Sequence, residues 1–134
     1  MKQIILYTAL KFVLKRRWYD LLESGEKPEE YREITPYWIK RLFHNQVFKP
    51  RHKFKINDGE AAFFAQVPSA LAQAIESRLL VPKAGTAVFY LGYAKNRPQF
   101  ARQILGITVG TGRPEWGATP GKEYLVIKVG EKIQ

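Results

Sequence analysis

The sequence contains no cysteine and only two histidines, and these absences exclude several classes of site. Without thiols the 134-residue chain forms no disulfide, holds no iron–sulfur centre or thiolate zinc site, and has no cysteine nucleophile. The histidines, His44 and His52, lie eight positions apart without a clustered carboxylate partner. We therefore predict no metal site and no cofactor.

Long apolar runs are also absent. The run nearest the start, Ile4 to Leu6, is too short for the apolar core of a secretion signal. No stretch approaches the roughly 18 residues that a membrane span needs, so we predict a cytoplasmic protein with no membrane partner. Because 46% of the residues are apolar and 13% aromatic, one packed core is expected, and residues 1–134 are predicted to form a single domain.

Acidic residues are scarce outside one short segment. Six of the twelve lie between Asp20 and Glu33, and none lies between Glu33 and Asp58 or between Glu76 and Glu115. These two acid-free spans contribute most of the net charge of +10. A polyanion such as nucleic acid is a natural partner, because cations that neutralise phosphates release counterions. A solvated basic surface that maintains solubility explains the same composition.

The order of apolar patterns predicts an α+β fold. Alternating apolar residues predict strands over 3–14 and 29–34, and apolar residues at helical spacing predict a helix over 15–24. A second helix is expected to begin at Thr35 and Pro36, which supply a capping hydroxyl and a proline for the first helical position. Downstream, a hairpin is predicted around Asn57–Gly59, a helix over 69–80, and glycine-punctuated strands over 87–93, 100–111 and 123–129. This order indicates a small bent β-barrel flanked by helices.

The densest polar segment runs from Ser24 to Glu33. On a strand, Glu30 and Arg32 point to the same face, and Lys27 lies where the chain passes from helix to strand. These three ionisable groups are therefore candidates to converge on one concave spot. The alternative is a solvent-facing Glu30–Arg32 ion pair, worth about 0–1 kcal/mol, with Lys27 as a turn residue.

This segment and its flanks resemble the ASCH domain (activating signal cointegrator homology), a PUA-like family. The motif that carries the resemblance is G-x-K-x-x-E-x-R, formed here by Gly25, Lys27, Glu30 and Arg32. The resemblance extends over residues 4–43 and 86–133 and includes the tail Gly110–Gly117. Residues 46–85 have no counterpart in it, which predicts an insertion.

The resemblance implies a PUA-like β-barrel with a cleft beside the Gly25–Lys27 segment and an association with RNA or nucleotide-like ligands. Proteins similar at the level of the fold include amidohydrolases that act on acylated cytidine. In that branch a threonine nucleophile stands at the position matched by Glu30, and a lysine stands at the position of Lys27. The glutamate in this chain argues against the acyl-threonine route.

We predict a protein that binds RNA or a nucleotide in a basic cleft around Lys27, Glu30 and Arg32. Its further predicted nucleic-acid contacts are Tyr93, Arg113, Trp116, Lys49, Arg51 and Lys53. Aromatic side chains stack unpaired bases, and the candidate stacking surfaces are Trp18, Tyr31, Trp38, Tyr93 and Trp116. Trp18 and Trp38 also lie on the apolar stripes of their helices, which is typical of packing residues. The alternating cations at 49–55 have two interpretations. They could contact a phosphate backbone, or they could protect an exposed strand edge from aggregation.

Two other classes of function stay open. In a small hydrolase, either amidohydrolase or ribonuclease-like, Glu30 would activate water, Lys27 would stabilise the oxyanion, and Arg32 would hold the substrate. A protein partner bound through the insertion would instead use exposed aromatic residues as anchors. The candidate anchors are Phe54, Phe63 and Phe64, although core burial explains them more simply.

Overall fold

The computed structural model describes residues 9–46 and 54–133. The strands are β1 (Leu10–Leu14), β2 (Glu29–Arg32), β3 (Phe43–Asn45), β4 (Phe54–Lys55), β5 (Leu80–Pro82), β6 (Thr86–Leu91), β7 (Gln99–Thr111) and β8 (Glu123–Ile133). The helices are α1 (Arg16–Ser24), α2 (Pro36–Leu42), α3 (Asp58–Gln66) and α4 (Pro68–Glu76), with a 3₁₀ turn at Pro114–Trp116. The predicted α+β composition is confirmed. Residues 3–8 of the first predicted strand lie outside the described residues, as do Lys49, Arg51, His52 and Lys53.

Five strands form a curled sheet in the order β1-β6-β7-β8-β2, a half barrel in which β1 and β6 are parallel and the other neighbours are antiparallel. Register shifts in β7 between Arg102 and Gly106 mark the bulges that increase its bend. The curl brings the two edge strands together. Arg32 on β2 donates from Nη2 to the backbone oxygen of Val13 on β1, at 3.3 Å.

A column of aromatic rings fills the interior of this half barrel. Phe12 on β1 stacks on Phe89 of β6 with ring centroids 5.5 Å apart, and Phe89 stacks on Phe100 of β7 at 5.1 Å. Trp38 of α2 and Tyr19 of α1 contact the two ends of the column, at 5.8 Å from Phe12 and 5.0 Å from Phe100. Both helices are thus anchored over the sheet by aromatic packing.

The ends of α1 and α2 follow the predicted sequence signals. Gly25 ends α1 with φ of 90°, a left-handed conformation that glycine adopts without steric cost. The Thr35 side chain accepts a hydrogen bond from the backbone N–H of Trp38 at 3.2 Å, and Pro36 occupies the first turn of α2. These two ends place the segment between them, which contains β2, beside β1.

The hairpin predicted around Asn57–Gly59 is wrong, because this segment starts a helix. The Asn57 side chain accepts from the backbone N–H of Glu60 at 2.8 Å, and the Glu60 carboxylate accepts from the backbone N–H of Asn57 at 3.2 Å. This reciprocal capping box satisfies two N–H groups at the start of α3, so the same asparagine that favours a turn here begins a helix.

The segment after residue 54 packs onto the same core as the curled sheet. Ile56, Phe64 and Leu71 are buried in one apolar cluster with the residues of β1 and β6. β3 pairs with β4 and with β5 in a small second sheet. Of the three candidate anchors for a protein partner, Phe64 is buried, whereas Phe54 and Phe63 are about half exposed. Within the described ranges, no helix is both long enough and apolar enough to cross a bilayer.

Candidate functional site

A cavity of about 500 Å³ opens at the seam between the edge strands β1 and β2, beneath α1 and α2. Its lining comes from β1 and the residue after it, from α1 and α2, from β2 with the residues that flank it, from the segment between β7 and β8, and from the start of β8. The volume falls within the range of small-molecule sites. Lys27, Glu30 and Arg32 all line this cavity.

These three side chains form a buried ionic triad. Lys27 Nζ lies 2.6 Å from Glu30 Oε1, and Arg32 Nη2 lies 2.6 Å from Glu30 Oε2. The side chains of Lys27 and Glu30 are 2% and 6% exposed, and that of Arg32 is 19% exposed. Each carboxylate oxygen therefore accepts a charge-assisted hydrogen bond from a different cation. The triad carries one excess positive charge, and Arg32 is its most accessible member.

The turn after α1 holds Lys27 in this position. Gly25 reverses the chain, and the backbone N–H of Lys27 donates to the carbonyl of Leu21 at 3.0 Å. The ammonium then lies 5.3 Å from the centroid of the Trp18 ring and 5.4 Å from that of Tyr31. Two ring faces near a lysine that is almost fully buried provide favourable cation–π contacts in place of water.

The Arg32 guanidinium lies against two other rings, which themselves stack on each other. Its Cζ lies 4.8 Å from the centroid of Trp38 and 5.2 Å from that of Phe12. Nη2 donates both to Glu30 and to the carbonyl of Val13, whereas Nε is buried without a hydrogen-bond partner among the described residues. The planar group is therefore held in one orientation by stacking and by hydrogen bonds, as is typical of arginines that recognise anions.

All three tryptophans of the chain line this cavity. Trp18 comes from α1, Trp38 from α2 and Trp116 from the 3₁₀ turn. Gly117 packs against the Trp18 ring so closely that a Cβ atom there would lie 3.0 Å from Trp18 Cζ2, and its φ of 101° is left-handed. A glycine is required at this point because both the close approach and the backbone conformation exclude larger residues.

Two tyrosines join the wall of the cavity through their hydroxyls. The Tyr31 hydroxyl donates to Glu29 Oε1 at 2.8 Å and accepts from the backbone N–H of Arg113 at 3.0 Å. Burial raises the pKa of Tyr31 to about 12, the Glu29 carboxylate contributes to the rise, and the N–H of Arg113 opposes it. Hydrogen bonds with Thr119 lower the pKa of Tyr124. The side chain of Thr119 has the larger effect and its backbone the smaller one. These contacts connect the segment that carries Trp116 to β2.

Further charges lie among the lining residues. Lys15 is exposed, and Lys122 pairs with Glu33 at 2.6 Å. The Glu33 hydrogen bond raises the pKa of Lys122. With the triad, four cations and two carboxylates line the cavity, which leaves two excess positive charges. Among the described residues, no cluster of three or more histidine, aspartate or glutamate side chains is arranged to hold a metal ion.

The other predicted contacts are distributed differently. Trp116 lines the cavity, and the exposed Arg113 lies beside it with Cζ 5.2 Å from the ring centroid. Tyr93 is 86% exposed in the loop after β6 and is not among the lining residues. The structure therefore does not bring Tyr93 to the triad. Lys49, Arg51 and Lys53 lie outside the described residues, so their predicted contacts stay predictions.

Lys15, Lys122 and Tyr124 are among the lining residues of this cavity that sequence reasoning missed. Tyr124 stands in an alternating strand pattern that predicts burial and not a ligand wall. The two lysines are far apart in the chain, and only the curl of the sheet brings them to one opening. Trp18 and Trp38, which their helical stripes favour as packing residues, both pack on the core and line the cavity.

Comparison of the chain with protein-family models, curated proteins and solved structures finds no match in any of the three. The resemblance to the ASCH domain accordingly stays a prediction that depends on the quoted residues.

Proposed function

We propose that the protein binds single-stranded RNA and holds one unpaired nucleotide in the cavity between β1 and β2, as an ASCH domain with a PUA-like fold. The observation that carries this proposal is the cavity itself. A buried Lys–Glu–Arg triad with one excess positive charge lies under a wall to which every tryptophan of the chain contributes.

The triad supplies more hydrogen-bond donors than acceptors. Both oxygens of Glu30 are already engaged by Lys27 and Arg32, so the glutamate positions the two cations. An ammonium has three donors, of which Lys27 gives one to Glu30. A guanidinium has five, of which Arg32 gives two from Nη2, to Glu30 and to the carbonyl of Val13. A ligand with oxygen acceptors, such as a phosphate or a base carbonyl, matches this set of donors.

The aromatic wall selects for a ligand with a flat face in addition to an anionic group. Stacking on an aromatic side chain holds an unpaired base by about 1–3 kcal/mol. A nucleotide carries a base, carbonyl oxygens and a phosphate in one unit, so it uses both parts of the cavity. An inorganic anion would use only the cationic part of the cavity.

The geometry favours binding over hydrolysis. A general base takes a proton from water, but each oxygen of Glu30 already accepts a short hydrogen bond from Lys27 or Arg32. We therefore expect no turnover of acylated cytidine or of RNA. Turnover that is abolished in a Glu30→Gln variant that remains folded in the assay would assign Glu30 as a base and favour the hydrolase.

The experiment is a titration of fluorescein-labelled single-stranded RNA with the protein at several salt concentrations, followed by fluorescence anisotropy. Lys27→Met keeps an unbranched side chain, removes the charge and leaves Glu30 paired with Arg32. Loss of a hydrogen bond to a charged group costs about 1.5–3 kcal/mol, so we expect affinity to fall by about 10- to 150-fold.

The matched control is Lys132→Met, which also removes one positive charge. Lys132 pairs with Glu23 and is not among the residues that line the cavity. It should change affinity by less than about twofold. Equal losses in the two variants, or binding with no salt dependence, would contradict the proposal, because the triad would then make no specific contact and phosphates would not be neutralised.

A further inference from the structure

A second cavity, of about 680 Å³, lies at the other end of β1 and is lined by cations. Lys11 of β1, Lys40 and Arg41 of α2, and Lys83 after β5 all line it. No described residue of its lining is acidic. Tyr37 of α2, which is 60% exposed, adds an aromatic face, and Arg41 Cζ lies 5.7 Å from the centroid of its ring.

The cations of this basic cavity are crowded enough to perturb one another. Burial lowers the pKa of Lys83, and the nearby charges of Lys55, Arg41 and Lys40 lower it further. The carboxylate of Asp58 pairs with Lys40, but its side chain is 90% exposed. An anion bound here would relieve this repulsion, since an opposite charge nearby stabilises the charged form of a lysine.

The two cavities lie at the two ends of β1. Leu10 and Lys11 line the basic cavity, whereas Val13, Leu14 and Lys15 line the first one. Both cavities are also lined by α2, which contributes Tyr37 to the basic cavity and Trp38 to the first one.

Between the cavities stand two aromatic rings of α2, Tyr37 and Trp38. Their centroids are 5.1 Å apart, and each ring lines a different cavity. The Cα atoms of Lys11 and Lys15 are about 13 Å apart at the rise of an extended chain. A stacked nucleic-acid strand has one phosphate per roughly 3.4 Å of its axis, so this distance corresponds to about four phosphates, and to fewer when the bases are splayed.

We infer that the basic cavity is a second phosphate subsite for the same RNA strand whose unpaired nucleotide occupies the first cavity, so that the ligand is an oligonucleotide and not a mononucleotide. This inference rests on the proposed function. The strand would pass from one end of β1 to the other beside Tyr37 and Trp38, whose rings are perpendicular at 89°, so bases in contact with the two rings would be splayed apart.

The experiment compares a mixed-sequence single-stranded RNA hexamer with the four nucleoside monophosphates, using quenching of tryptophan emission. The wild-type protein should bind the hexamer at least about tenfold more tightly than any monophosphate. In Arg41→Gln/Lys83→Gln the hexamer should lose about tenfold or more in affinity, and its log–log salt slope should become shallower by about 1.4, or 0.7 for each lost phosphate contact. Monophosphate affinity should stay within about twofold.

The control Lys128→Gln/Lys132→Gln also removes two positive charges, but from β8, and neither residue lines either cavity. This control variant should still bind the hexamer at least about tenfold more tightly than any monophosphate. Arg41 is exposed, so Arg41→Gln alone should leave the protein folded and replaces the double variant if that one is unstable. It should show about half of the change in the log–log salt slope of hexamer binding.

An advantage that survives Arg41→Gln/Lys83→Gln would overturn the inference and leave the proposed function intact. Equal weakening of monophosphates and hexamer would also overturn it, since the basic cavity would not be a separate subsite. If neither hexamer nor monophosphates bind the wild-type protein, the proposed function fails and the inference fails with it.

Discussion

Replacement of Glu30 by glutamine tests whether the triad is as buried as its geometry indicates. The carboxylate is the one negative charge between Lys27 and Arg32, and the lysine side chain is 2% exposed. Glu30→Gln would leave two like charges facing each other below the surface. Removal of one partner from a buried ion pair costs about 3–5 kcal/mol. For a chain of this length each kcal/mol corresponds to roughly 3–5 °C, so Tm should fall by about 9–25 °C.

The assay is urea unfolding followed by tryptophan emission, combined with a double-mutant cycle. Lys27→Met leaves a neutral Glu30–Arg32 pair and should be less destabilising than Glu30→Gln. Lys27→Met/Glu30→Gln retains only one cation of the triad. Its loss in free energy of unfolding should therefore be smaller than the sum of the two single losses, by more than about 1 kcal/mol. A Glu30→Gln variant within about 0.5 kcal/mol of the wild type would refute this reasoning, because that value is typical of solvated surface pairs.

Three further predictions follow from single contacts. The pKa of Tyr31, about 12, lies above its ordinary 10, so the unfolded chain releases this proton first and stability should fall as pH rises from 10 toward 12. Tyr31→Phe should remove that part of the alkaline loss in urea midpoints; an unchanged alkaline profile would contradict the burial of the hydroxyl. Gly117→Ala should cost about 1–3 kcal/mol and shift the emission of Trp18, because alanine is strained at φ of 101° and its Cβ would meet the ring; unchanged unfolding and emission would refute this. Asn57→Ala should cost about 1 kcal/mol in thermal unfolding without changing RNA affinity, since it removes a helix cap; a neutral effect would mean that the capping box contributes nothing.

The local signals in the sequence were sufficient for the helix ends and for the motif around Lys27. Gly25 and Thr35 act within a few residues of themselves, so their effects depend little on the rest of the fold. The convergence of Lys27, Glu30 and Arg32 follows from strand alternation together with the turn after α1. Asn57 shows the limit of such signals, because an asparagine before a glycine-containing segment suits both a turn and a helix cap.

The two cavities depend on long-range geometry that no local pattern contains. Val13 and Arg32 meet only because the five-stranded sheet curls until its edges approach. Lys11, Arg41 and Lys83 are separated by tens of residues and have no common motif. The charge distribution of the sequence predicted a polyanion as the partner, but it could not indicate on which surface the cations would meet.

The central claim is that RNA occupies the cavity over the triad, and the tryptophans provide the most direct test. The chain has three, Trp18, Trp38 and Trp116, and all line this cavity. The measurement is a ¹H–¹⁵N correlation spectrum of the indole N–H groups during titration with the single-stranded RNA hexamer. We predict that all three indole signals shift along one saturable curve in the wild type and that the shifts weaken in Lys27→Met. RNA binding, detected by anisotropy, that leaves the three indole signals unchanged would contradict the claim.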